Sequence, residues 1–160
     1  MFDVETLVSD FVESAWTARL VGWPCGLTTE RLPAPHRQPQ LKSGNGAVYT
    51  FSLSHSYGAS VPAGPGRVLK VGKVGAKSGP RFYSQHYTLS APSTLAKSLL
   101  RHRILWPWLG VTALDATNVR DWMLTNLDRT HFFVPDGRPE VLAALEVFVR
   151  ARVGSAFEGA

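Results

Sequence analysis

The sequence predicts an α+β fold: a small, three-stranded, mainly antiparallel sheet flanked by helices, with an added N-terminal helix and a proline-rich strap. Three observations lead there. Residues 47–54 and the run ending at Gly72 alternate as β-strands and are joined by a Gly, Ser and Pro loop, the pattern of a hairpin with a long tip. Segments at both ends of the chain repeat apolar residues at helical spacing. A third β-prone run, residues 131–134, is closed by the turn Pro135-Asp136-Gly137. The 160 residues, 44% of them hydrophobic, suffice for one core and exclude a disordered or collagen-like chain.

Asp3 is placed to cap a first helix on which Val4, Leu7, Val8, Phe11, Val12 and Ala15 share a stripe. After Gly22, Pro24, Pro33, Pro35 and Pro39 forbid a long helix and predict an extended strap over the core. Residues 1–46 are thus read as helix and strap packed on a functional region, 47–160, within one structural domain. Ala47, Tyr49, Phe51 and Leu53 share one face of the first strand. On the second, strict alternation puts Val68, Lys70 and Gly72 opposite Leu69 and Val71, aiming Lys70 away from its apolar neighbours.

Gly72, Gly75 and Gly79 then break the run, while Lys73, Lys77 and Arg81 bring positive charge to the turn. Arg81 opens a short helix carrying Tyr83, Gln85, His86 and Tyr87. Ser93 is placed to cap another, with Leu95, Leu99 and Leu100 buried and Lys97, Arg101 and Arg103 projecting outward. Trp106, Pro107, Trp108 and Leu109 read as a hydrophobic plug, and residues 118–127 as a helix before the third strand. Asp128 and His131 lack a third partner for a metal, so Asp128 is expected to bond locally. Pro139 and Glu140 suit the start of a final helix whose stripe is Val141, Leu142, Leu145, Phe148 and Val149; Gly154 ends it, and Glu146 falls on the stripe's shoulder.

Charge is segregated along the chain. Residues 31–114 contain no Asp or Glu but hold eleven of the 17 Lys and Arg residues and four of the five His. Such a one-signed surface attracts a polyanion over about 8–10 Å. Interleaved Tyr, Phe and His can stack on bases, so the expected partner is nucleic acid. The lone Cys25 excludes an internal disulfide and a cysteine zinc site. The N-terminal stretch lacks a signal-peptide pattern, and the longest apolar run, residues 104–114, is broken by Pro107. The expectation is a cytoplasmic protein with no membrane span.

Taken in order, Val48-Tyr49, Lys70-Val71-Gly72, Arg81, His86, Leu145-Glu146 and Ala156-Phe157-Glu158-Gly159 resemble the GIY-YIG nuclease superfamily over about residues 47–159. Two departures stand out: Lys70 replaces the second-motif tyrosine, and Ala47-Val48-Tyr49 replaces a glycine-led triplet. The resemblance implies a metal-dependent endonuclease that hydrolyses phosphodiester bonds in nucleic acid, DNA ahead of RNA. Tyr49 would orient or deprotonate the attacking water, helped by His86, whose ordinary pKa near 6.5 suits proton traffic. Arg81 would brace the scissile phosphate, and Glu146 would hold one magnesium or manganese ion. Lys70 and Lys73 would add phosphate contacts, with Lys77, Lys97, Arg101 and Arg103 tracking the backbone. The alternatives are a binding module that keeps the fold without cleavage, and a protein-interaction domain using Trp106 and Trp108.

Overall fold

The computed structural model describes residues 2–91 and 93–157. Its α+β architecture comprises α1 (Val4–Thr17), β1 (Thr28–Leu32), β2 (Asn45–Leu53), α2 (His55–Gly58), β3 (Val68–Val74) and α3 (Gly79–Ser84), followed by α4 (Leu95–Arg101), α5 (Trp106–Leu109), α6 (Val119–Asn126), β4 (Leu127–Pro135) and α7 (Pro139–Val153). Among the described residues the sheet has four antiparallel strands in the order β1-β4-β2-β3, not three. The additional strand lies inside the proline-rich strap. Its five residues, Thr28–Leu32, are exposed or half-buried and pair only with β4, so no alternation of buried residues marked them in the sequence.

Helices cover both faces of the sheet. On one, Leu7, Phe11 and Ala15 of α1 and Val141, Leu142, Leu145 and Val149 of α7 meet Val48, Val71, Phe132 and Val134. On the other, Ala47, Tyr49, Phe51 and Leu53 pack with Phe82, Leu95, Leu99, Leu109 and Met123. This second layer contains α3 to α6, and Trp106 and Trp108 pack against it as a partly buried plug. The period-two reading of β2 therefore holds, because its residues sort alternately into the two layers.

In β3 that reading needs correction. Phe51 pairs with Lys70 but Ser52 pairs with Val68, so Leu69 is an extra residue and the strand carries a bulge. Val68 consequently joins Val71 on the α1/α7 side, whereas Leu69 packs into the opposite layer, the side that Phe51 and Lys70 face. The strap is fastened by Asp128, which accepts hydrogen bonds from Arg31 Nη2 and the Ala34 amide, both at 2.8 Å. These partners are distant in sequence, not the local ones expected.

Capping follows the sequence closely, with one shift. Asp3 accepts from the amides of Glu5 and Thr6, Pro139 opens α7, and Gly154 ends it at φ 58°. The cap of α4 is Thr94 rather than Ser93, its hydroxyl accepting from the Lys97 amide. Between β4 and α7, Gly137 sits at φ 58°, and a β-carbon there would come 2.8 Å from the Ala76 amide nitrogen. That tight crossing brings the start of α7 against the end of β3. Among the described residues, no helix is long and apolar enough to cross a membrane. The Glu158-Gly159 part of the last sequence motif lies outside the described residues.

Candidate active site

A cleft of about 450 Å³ opens where β3 meets α3 and α7. Tyr49, Lys70, Arg81, His86 and Glu146, predicted from four separate stretches of sequence, all line it, together with Lys73. Tyr49 gets there across its neighbour. It pairs with Gly72 in the β2–β3 ladder, and its ring passes over that residue: a β-carbon on Gly72 would stand 2.8 Å from Cζ and Oη of the phenol. Only glycine leaves the ring room to lie there and present its hydroxyl to the cleft.

His86 fixes that hydroxyl. Its Nδ1 accepts the Leu95 amide, the first N–H of α4, at 3.2 Å, and its Nε2 lies 2.7 Å from Tyr49 Oη. With Nδ1 occupied as an acceptor, the neutral ring carries its hydrogen on Nε2 and donates it to the phenol oxygen. The Tyr49 proton is then directed elsewhere. Burial, followed by the charges of Arg129, Lys70 and Arg81, lowers the His86 pKa to about 3. The near-neutral value expected for a proton carrier does not survive in this pocket, and His86 acts as a neutral donor.

Tyr49 itself is 1% exposed, and burial raises its pKa to about 12 against the opposing pull of Arg129 and Arg81. At the rim, exposed Arg81 gives its Nε to Gln85 Oε1 at 2.8 Å, one helical turn ahead. On the far wall Glu146 is held between two cations: Lys73 Nζ pairs with Oε2, and Arg150 Nη2 donates to Oε1 at 3.0 Å. Among the described residues that line the cleft, Lys70, Lys73, Arg81 and Arg150 stand with one carboxylate, that of Glu146, and this lining is cationic.

Not every predicted contact meets there. Lys77, Lys97, Arg101 and Arg103 are exposed but lie outside the lining of the cleft, and Arg103 stacks on Trp106 at 5.3 Å. Two relevant residues were missed by the sequence reading. Arg150 follows Glu146 by four positions on α7, a spacing that announces an ion pair. Arg129 is fully buried among Tyr49, Phe51, Phe82 and Tyr87; its signal was a cation on the same alternating face of β4 as Leu127 and Phe133.

Among the described residues, no group of three or more His, Cys, Asp and Glu comes together. A divalent ion in the cleft would therefore rest on Glu146, with water and ligand oxygens completing its shell. One carboxylate is sufficient for a cation that keeps most of its water, so the residues fit a weakly held magnesium ion once Lys73 is displaced. Compared with protein-family models, curated proteins and solved structures, the chain gives no significant match.

Proposed function

We propose that this protein is a metal-dependent endonuclease of GIY-YIG type that hydrolyses phosphodiester bonds in DNA. The observation that carries the reading is the meeting of Tyr49, Arg81, His86 and Glu146 on one cationic cleft. Arg81, with its terminal amino groups, grips the phosphate at the mouth; Lys70 and Lys73 add positive charge beside it. Tyr49, its oxygen fixed by His86, takes the proton of the attacking water as its own phenol proton passes through the cleft to solvent. The new P–O bond forms as the bond to the leaving oxygen breaks, and that oxygen picks up a proton from solvent, so one water is consumed and a phosphate end and a hydroxyl end result. A magnesium ion bound at Glu146 supplies neutralisation of the charge gathering on the phosphoryl oxygens.

The pairing of Glu146 with Lys73 and Arg150 favours a second reading, a binding module whose carboxylate is neutralised and does not cut. The two separate in one experiment. Purified protein is incubated with supercoiled and single-stranded DNA in magnesium or manganese. Nicking that Arg81→Ala and Glu146→Gln each abolish, while salt-sensitive binding persists, supports the nuclease; binding without cleavage in either metal supports the module.

A further inference from the structure

We infer that Arg129 is the fixed countercharge of Tyr49: a positioning residue that holds the phenol ring in place over Gly72 and favours its ionised form. The geometry is unusual for a cation. Arg129 lies on β4 opposite Phe51 and is 0% exposed. Its guanidinium carbon is 4.6 Å from the ring centres of Phe51 and Phe82, 4.9 Å from that of Tyr49 and 5.7 Å from that of Tyr87. Nη1 donates to the Phe82 carbonyl at 3.3 Å and the Tyr87 hydroxyl at 3.2 Å, while Nε and Nη2 have no partner among the described residues.

No carboxylate among the described residues pairs with Arg129; its sequence neighbour Asp128 is engaged by Arg31 and Ala34. Taking a guanidinium out of water with two of its nitrogens unbonded is strongly unfavourable, and an apolar side chain would fill the same space without that penalty. The charge therefore has work to do beyond filling space. A cation over an aromatic face is attracted to the ring quadrupole and far more to a full negative charge on the same ring. Two phenols share this cage: Tyr87, which takes a hydrogen bond from Nη1, and Tyr49, which lines the cleft and whose oxygen takes the Nε2–H of His86, so Tyr49 is the one whose ionised form serves the cleft.

The other groups around Tyr49 set the balance. Arg81 from α3 acts in the same direction as Arg129, whereas Glu146 from α7 and Tyr87 beside α3 oppose it. His131, across the ladder on β4, meets the Glu30 carboxylate through Nδ1 at 3.0 Å while burial, then Arg129 and His36, lower its pKa to about 2, and Lys70 contributes positive charge from β3. Burial dominates and raises Tyr49; Arg129 is the largest influence pulling it back.

The role in cleavage rests on the nuclease reading, but the electrostatic pairing does not, so the test has two arms. In the full chain, Arg129→Met removes the charge and keeps an unbranched stem, and Arg129→Lys keeps the charge and loses the planar fork. With all tyrosines replaced by 3,5-difluorotyrosine, fluorine NMR follows each phenol at pH values where the fold persists, and Tyr49→Phe identifies the Tyr49 signal. Its titration is expected to move up by about one pH unit in Arg129→Met and by less than about half a unit in Arg129→Lys. Cleavage at pH 8 by the unlabelled variants should fall about tenfold in the first and be largely kept in the second. An unmoved Tyr49 titration in folded Arg129→Met, or equal shifts in both variants, overturns the inference. Where Arg129→Met does not fold, Arg129→Gln, which removes the charge and keeps a hydrogen-bonding amide, decides: a rise of about one unit supports the pairing, and an unmoved titration overturns it. If the Tyr49 signal shifts as expected while wild type cuts no DNA, the nuclease reading fails and the pairing stands.

Discussion

Gly72 lies beneath the phenol of Tyr49, so close that any β-carbon at position 72 would stand 2.8 Å from the ring's Cζ and hydroxyl oxygen. The strand residue and the candidate general base are thus one unit. Gly72→Ala is expected to push the ring off its bond to His86, destabilise the fold by about 1–3 kcal/mol and lower cleavage at least about tenfold. Denaturant melts and a plasmid-nicking assay read the two effects. Cleavage at the wild-type rate by Gly72→Ala would remove Tyr49 from the reaction.

Lys73 and Glu146 make a second prediction. Because the lysine occupies Oε2 of the only carboxylate among the described residues that line the cleft, it competes with a cation for that oxygen. Lys73→Met should tighten manganese binding in the absence of DNA by about tenfold, while weakening DNA binding and cleavage. Calorimetric titration with manganese alone checks the first part, and equal affinity in the two proteins would contradict it.

Acid stability follows from two buried imidazoles. His86 and His131 have pKa values lowered to about 3 and about 2 in the fold, against about 6.5 when unfolded. The unfolded chain therefore binds more protons below pH 6.5, so the stability these neutral rings contribute is intact above that value and is lost as pH falls toward 3. The loss should approach about 1.4 kcal/mol per pH unit for each ring. Melting temperature against pH should fall below 6.5, with a shallower slope in His131→Gln.

Asp128 offers a control away from the cleft. It is 3% exposed and ties Arg31 and the Ala34 amide to β4. Asp128→Ala should destabilise by about 1–3 kcal/mol and speed hydrogen exchange in residues 28–34, leaving cleavage unchanged in the folded fraction.

Much of this was readable in the sequence, and the exceptions have physical causes. Alternation sorted β2 correctly because both of its faces are buried in different layers, and helical spacing did the same for α1 and α7. It failed on Val68, since a bulge changes phase without leaving a compositional mark. It also passed over β1, whose residues gain their strand from pairing with β4 rather than from any buried face of their own. The cleft residues were legible as types in an order. Their states were not: the proton position on His86 depends on the Leu95 amide, and the charge around Tyr49 on Arg129, contacts that only the folded chain creates.

The strand order also separates the molecule's two ends. The cleft opens beside β3, whereas β1, the other outer strand, has no strand paired on its far side among the described residues. Three strand spacings, about 14 Å, lie between them. Anything joined at the β1 side, whether a surface linkage, a fused reporter or an appended targeting module, can be attached without shading the mouth of the cleft.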